Sequence, residues 1–348
     1  MKKVVMSLLL SAVSVSTNAA NIVDVFGTDP QKSADLIKNY GDQVGSASAE
    51  FIHGMEKLVK NSKDQAFFKP IYEKKVQLIN KIKQQYAFSY VDFDTILYSG
   101  DKNIYTTIEV ITPKDQDRLR FVTKNTKPYP PKATPDLIDK MVEFKTTWGK
   151  LMIAHQLDKL MTECPVYHCI PGFSHPELKD DFALFLASAN KEKALIMETI
   201  TKDPNPERRT AAIFLTGYFD DPKEIISCLL NSVNDPDNGV RNGAMRVIGL
   251  TMEKAKINEI DPIPFLTLLD SPYDTDRNKA LLVLLQAVGT TKSNDVIAQN
   301  GKDRLISLLR LKQPNNQRLA HLVLKKISGK TFAADNIDAW EQWFSNKK

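Results

Sequence analysis

The sequence predicts a mainly α-helical protein in which a small α+β N-terminal domain, helix plus β-hairpin, precedes a C-terminal α-solenoid of about four helical hairpins. Three observations predict it. A helical apolar period gives way to a period of two at Ala87, four prolines interrupt the chain between Lys124 and Pro135, and an Asp-Pro…Arg…Ala pattern recurs after Lys191.

The chain opens Met1-Lys2-Lys3, continues through a largely apolar stretch from Val4 to Val15, and reaches Thr17-Asn18-Ala19-Ala20. A short basic region, an apolar run and small residues at −3 and −1 describe a signal peptide, with cleavage expected after Ala19. The apolar run is shorter than the roughly 20 residues a spanning helix needs. The expectation is therefore an exported protein, periplasmic or secreted, without a membrane span. Removing Lys2 and Lys3 lowers the formal charge from +5 to +3. So small a balance points to neither nucleic acid nor an anionic membrane as partner.

From Ser33 to Tyr86 the residues read as helix. The clearest stretch starts at Pro70, where Ile71, Tyr72, Val76, Leu78, Ile79, Ile82 and Tyr86 recur at helical spacing with lysines between them. Alternation then puts Phe88, Tyr90, Asp92, Asp94, Ile96 and Tyr98 on one side of a strand, with Ser89, Val91, Phe93, Thr95 and Leu97 on the other. Ser99 to Asn103 supply turn residues, and Ile104 to Thr112 is rich in β-branched residues and tyrosine, which completes a hairpin. Arg118 to Val122 is the candidate third strand. A lone hairpin is marginal in water, so these strands must lean on the preceding helix or on the repeats.

The prolines between Lys124 and Pro135 fix φ and remove amide donors, so this stretch reads as a stiff linker. Thr134 then caps a helix with Pro135 at its first position, running to about Met161. The segmentation that follows is 1–19 signal peptide, 20–123 helix and hairpin domain, 124–135 linker, 136–190 helical connector, and 191–348 repeat array with an aromatic cap.

Three segments of the array align. Arg209-Thr-Ala-Ala212 precedes Gly217, Arg241-Asn-Gly-Ala244 precedes Gly249, and Arg277-Asn-Lys-Ala280 precedes Leu281 to Leu285. Asp203-Pro204, Asp235-Pro236 and Asp270-Ser271-Pro272 stand before them, and the arginines are 32 and 36 residues apart. A weaker fourth copy runs from Gln313-Pro314 through Arg318-Leu-Ala320. Each Asp-Pro ends one helix and starts the next, while the small alanines admit a close neighbour. An apolar stripe that one hairpin cannot bury forces the copies to stack. This pattern, from about Lys191 to Gly329, resembles the short-repeat bacterial branch of the HEAT family. The resemblance implies that Asp203, Arg209, Asp235, Arg241, Asp270 and Arg277 are structural, forming a ladder between neighbouring repeats. It also implies that Trp340, Trp343 and Phe344 close the open end of the array. Gly329-Lys330-Thr331 is not a phosphate loop, because Leu324 stands where such a loop needs glycine.

Glu163 to His175 holds two of the three cysteines and two of the five histidines. A disulfide between Cys164 and Cys169 suits an oxidising compartment, since Pro165 and Pro171 break the helix that would hold the two residues apart. A metal site of Cys164, His168, Cys169 and His175 is the sharper alternative, although its spacing matches no standard zinc pattern. Cys228 falls on an apolar helix and reads as an inert core residue.

No nucleophile elbow, zinc-protease motif or dinucleotide loop is present. The expected function is thus a non-catalytic scaffold, without cofactor, binding a protein or peptide partner through a groove of the repeat's inner helices. Two alternatives stand beside it: a metal or thiol-redox protein using Cys164 to His175, and a lyase or hydrolase with its site at the domain junction.

Overall fold

The computed structural model describes residues 20–60, 66–98, 101–123, 129, 134–154, 156–157 and 163–346. The leader at 1–19, the Ser99-Gly100 part of the hairpin turn and most of the proline-rich linker lie outside them. The first elements are β1 (Asn21–Phe26), α1 (Pro30–Lys60), α2 (Phe68–Gln85), β2 (Tyr90–Leu97) and β3 (Ile104–Ile111). Helices follow: α3 (Leu137–Ile153), α4 (Lys179–Ser188), α5 (Lys193–Lys202), α6 (Pro206–Thr216), α7 (Pro222–Leu229), α8 (Asn238–Ala255) and α9 (Ile263–Leu268). The last are α10 (Asp274–Ala287), α11 (Thr291–Leu309), α12 (Pro314–Ser328) and α13 (Ile337–Asn346). The protein is mainly helical, with an N-terminal three-stranded sheet and helices followed by a helical repeat region. Two compact units contain these elements. The first takes the described residues up to Arg120, Leu269–Asn278 and those from Ala298 onward, and the second takes Phe121–Leu268 and Lys279–Ile297.

In the first unit the strand order is β1-β3-β2, with β1 parallel and β2 antiparallel to β3. All eight residues of the central strand β3 are buried, so both faces of the sheet are covered. Alternation explains how. Val23, Val91, Phe93, Ile108 and Val110 form one core with Leu36, Tyr40 and Val44 of α1 and Leu78 and Ile82 of α2. The opposite face carries Asp24, Phe26, Asp92, Asp94 and Glu109, and it packs on the first turns of α10 and α12. The hairpin therefore leans on both supports expected of it.

The third strand is Asn21–Phe26, and Arg118–Val122 is not a strand. Gln116–Phe121 forms a 3-10 turn, started where Thr112 Oγ1 donates to Asp115 and the Arg118 amide donates to the Asp115 carbonyl. The turn aims Arg118 inward, where Nε donates to the Asp270 carbonyl at 2.7 Å and Nη1 to the Val110 carbonyl at 3.2 Å.

In the second unit, α3 starts two residues later than expected. Asp136, not Thr134, is the N-cap: its carboxylate accepts the Ile138 and Asp139 amides, and Asp139 reaches back to the Asp136 amide in a capping box. The helix stops at Ile153, before Met161, and the Gln156 amide closes it on the Leu151 carbonyl. Residues 158–162 lie outside the described set. The hairpin α5–α6 packs on α8, with Ala211, Ala212 and Ala244 fully buried where the helices approach. The caps are also displaced from the Asp-Pro pairs. Asn205, Asp237 and Gln313 cap α6, α8 and α12, while Asp203 and Asp235 sit two residues ahead of Asn205 and Asp237 and accept their amides at 2.8 Å. Each aspartate thereby keeps an oxygen free for an arginine.

Candidate functional site

The elbow between α3 and the repeat is built around a disulfide. Cys164 and Cys169 are joined, with Cα atoms 5.6 Å apart. That bond uses both thiolates the alternative metal site required, and among the described residues no group of three or more His, Cys, Asp or Glu is disposed to hold a metal ion. His168 and His175 do not converge on the sulfurs as ligands. The His168 ring stacks on Phe214 with centroids 4.9 Å apart, and His175 Nδ1 accepts the Glu177 amide. Three helices hold the elbow in place. Trp148 of α3 donates to the Pro171 carbonyl at 2.7 Å, the Tyr167 and His168 amides donate to the Gly217 carbonyl after α6, and Lys254 Nζ of α8 donates to the Cys164 and Val166 carbonyls. Gly217 permits this contact, because a Cβ there would lie 2.6 Å from the His168 Cβ. Replacing both cysteines by serine is expected to lower stability by about 2 kcal/mol, the loop-closure value for so short a ring. Urea unfolding with and without reductant measures it, and the serine variant should be insensitive to reductant.

The ladder residues have unequal partners. Arg209 grips Asp235 through two hydrogen bonds of 2.7 and 2.9 Å, the rung between neighbouring copies that the resemblance implied. Asp203 instead receives Nε of Arg208, a residue the sequence pattern passed over, whose other nitrogens reach Asp136 and Asp139. Arg241 donates to the Asp235 and Phe121 carbonyls. In the first unit, Asp270 takes Arg304, and Arg277 leaves the ladder altogether for Glu109 on β3.

Arg277 and Glu109 are the centre of a buried polar cluster. Both Glu109 oxygens accept from the guanidinium, at 2.5 and 2.9 Å, while Asn316 Oδ1 accepts from Nε and the Ser271 carbonyl from Nη1. The guanidinium also lies 4.0 Å from the Phe26 ring centroid. Burial pushes the Glu109 carboxyl up to about 7, against the pull of the Arg277 charge. Nearby, the Asp274 amide donates to Asp94 Oδ2, and Asn315 donates to Asp274 Oδ2. Burial first, and then the Asp274 carboxylate beside it, holds the Asp94 carboxyl well above the usual range. The pair can store a proton, but Asp274 Oδ1 is buried without a hydrogen-bond partner. A group with a raised folded-state pKa stabilises the fold below its unfolded value near 4 and loses that contribution as pH rises through the folded one. Asp94→Asn should therefore be stabilising at pH 8, by about 1–3 kcal/mol, and near neutral at pH 4.5, because its amide supplies the donor that Asp274 lacks. Denaturant unfolding at the two pH values reads the difference.

Sequence reasoning reached Arg277, Asp270 and the cysteines but missed Glu109, Asp94, Asp274 and Arg208. The available signal was Asp92 and Asp94 alternating in β2 and a lone Glu109 amid the β-branched residues of β3. Cys228 has its thiol raised to about 12 by burial and donates to the Ile225 carbonyl, an inert arrangement.

Helices paired in sequence, stacked copy on copy and tied by an Arg–Asp rung define an α-helical repeat. Residues 194–285 match the family model of HEAT repeats, which covers the three aligned copies and stops before the fourth. HEAT repeats typically mediate protein–protein interactions. No curated protein and no solved structure matches the chain.

The second helices of the hairpins are engaged by the chain itself. No residue of α6 is exposed, and α3 packs along it. The start of α8 takes Thr123, which bonds Asn238. In the first unit, the starts of α10 and α12 meet the polar face of the sheet. Exposed apolar side chains on the matched repeat are Leu230, beside α7, and Ile263 of α9, both on the first-helix side.

Proposed function

We propose that this is an exported, non-catalytic scaffold that binds a protein partner through the first-helix side of its HEAT repeat. The observation that carries the reading is the engagement of the second helices by the chain's own α3, Thr123 and β-sheet, which leaves the first helices and the exposed Leu230 and Ile263 as the repeat's accessible apolar positions. On this reading the partner meets the first-helix side at Leu230 and Ile263, and not a groove of the inner helices. Export rests on the Lys2-Lys3, apolar and Thr17-Asn18-Ala19 leader. Among the described residues no helix is long and apolar enough to cross a membrane.

The test uses the intact chain, since deleting residues from Lys191 onward would remove Leu269–Asn278 and the residues from Ala298 onward from the first unit. Affinity capture from the cell envelope with wild type and with Leu230→Glu/Ile263→Glu should recover a defined protein with the former only. Equal recovery by both rejects the first-helix surface. Mass spectrometry of the purified protein should place the mature N-terminus at Ala20, and an intact Met1 in the cell envelope would reject the leader.

A further inference from the structure

The sheet of the first unit ends in two edge strands, β1 and β2. An edge strand presents a row of main-chain donors and acceptors that can pair with another chain. On β2 the chain's own side chains take up that row at Phe93, whose amide donates to Asp92 Oδ1 at 2.7 Å and whose carbonyl accepts from Lys75 Nζ at 3.0 Å. β1 is different. The Ile104 amide donates to the Ala20 carbonyl, and with Asn21 opposite Ile104 in the parallel register this turns the main-chain groups of Ile22, Asp24 and Phe26 toward β3. Those of Asn21, Val23 and Val25 point outward, and among the described residues none of them is hydrogen-bonded.

A groove of about 490 Å³ runs beside this edge, lined by Ile22 and Val23 of β1, by Ile37, Gly41 and Asp42 of α1, and by Lys312. α1 comes close to β1 at Gly45, where a Cβ would lie 2.9 Å from Asn21 Cβ. One turn earlier Gly41 leaves space, since a Cβ there would meet only Ile37 Cγ2, at 3.4 Å. Lys312 is exposed and its backbone is fixed: its amide and that of Gln313 both donate to Asp24 Oδ2, at 2.7 and 2.9 Å. Side chains alternate along a strand, so Asn21 and Val23 lean toward α1, while Ile22 and Asp24 lean toward Lys312. A strand added here inherits the same alternation.

We propose that the outer edge of β1 binds an extended peptide segment of a protein partner by strand addition, with apolar side chains set against Gly41 and Ile37 and acidic side chains toward Lys312. The main-chain groups of Asn21, Val23 and Val25 supply the hydrogen bonds, and the alternate side chains supply the selectivity. The Lys312 ammonium favours carboxylates on its side of the added strand, and Asp42 on the α1 side disfavours them there. This surface lies in the first unit and does not depend on the first-helix side of the repeat.

Fluorescence polarisation with the full-length protein tests it, the probe being a fluorescein-labelled peptide of alternating valine and glutamate, six residues long like β1. Saturable binding is expected. A strand turns alternate amides to its neighbour, so N-methylating the valine amides and N-methylating the glutamate amides should have unequal effects, one of them weakening binding about tenfold. Loss on valine methylation assigns an antiparallel peptide, and loss on glutamate methylation a parallel one. Gly41→Leu fills the groove and leaves the pairing of β1 with β3 intact, so it should abolish binding without lowering the melting temperature. Lys312→Glu should weaken the valine and glutamate peptide about threefold to fivefold and strengthen its valine and lysine counterpart. Absence of saturable binding at about 1 mM peptide, equal loss from the two methylations, or binding that survives Gly41→Leu overturns the proposal. So does a wild type that dimerises in solution and turns monomeric in Gly41→Leu, which would give the edge to a second copy. Leu230→Glu/Ile263→Glu should leave peptide binding unchanged, so this reading and the repeat surface fail separately.

Discussion

Arg277→Leu is expected to destabilise the protein by about 3–5 kcal/mol, because it leaves the Glu109 carboxylate buried and unpaired. Both partners are within 1% of full burial, so water cannot replace the guanidinium. The variant also strands Asn316 Oδ1 and the Ser271 carbonyl, each of which loses a donor. A pH signature separates this from simple loss of packing. With the Arg277 attraction removed, the Glu109 pKa rises further above its unfolded value, so the folded state binds the proton more tightly. The loss should then be larger at pH 8 than at pH 5, where a neutral Glu109 is tolerated. Glu109→Leu/Arg277→Leu should recover most of the stability, since replacing a buried pair by apolar residues is often near neutral. Urea unfolding of the two single variants and the double variant gives the coupling directly.

Trp340→Ala is the second large effect, about 3–5 kcal/mol, the range for emptying a fully buried indole site. Trp340 has no exposed surface, its Nε1 donates to the Ala333 carbonyl at 2.9 Å, and it meets His321 of α12 and Phe332 edge to face. The helix α13 holds only ten residues, too few to persist alone in water. Its order therefore depends on this indole and Phe344. Hydrogen exchange should show α13 amides losing protection in Trp340→Ala while the amides of α6 keep theirs. Trp340→Phe, which retains most of the apolar area, should lose about half as much.

What could be read from the sequence follows from how locally each feature is encoded. The Arg209–Asp235 rung and the buried alanines belong to a pattern that recurs along the chain, so alignment of the chain with itself exposes them, while the aromatic cap shows as a local i, i+3, i+4 cluster. The β2–β3 hairpin is equally legible, because alternation and turn residues are local signals. β1 was not, although Asn21-Ile-Val-Asp-Val-Phe is β-branched: it is only six residues long and pairs with a strand more than eighty residues away. The pairing of Glu109 with Arg277 is hidden for the same reason, as neither residue carries a local mark of the other. Arg277 matches the repeat pattern, so its position suggested a ladder role, while its partner is chosen by tertiary packing. The displaced caps teach a smaller lesson. Asp203-Pro204 and Asn205-Pro206 both satisfy the rules for a helix start, and the choice falls on Asn205 because Asp203 is drawn into Arg208.

The cysteine segment shows the converse. Residue types and spacing admitted both a bridge and a metal site, and the backbone around Pro165 and Pro171 brings Cys164 to Cys169 while turning His168 away onto Phe214. The density of chemistry-bearing residues that drew attention there marks a clamp on α3, α6 and α8.

Photo-crosslinking in living cells tests most directly the proposed binding of a protein by the first-helix side of the HEAT repeat. A photoreactive amino acid at Leu230 or at Ile263 in the full-length protein should yield one discrete adduct of the same partner from both positions, and none from Thr210, which is buried in α6. Absence of any adduct at both exposed positions, with the protein folded and present in the envelope, would contradict it.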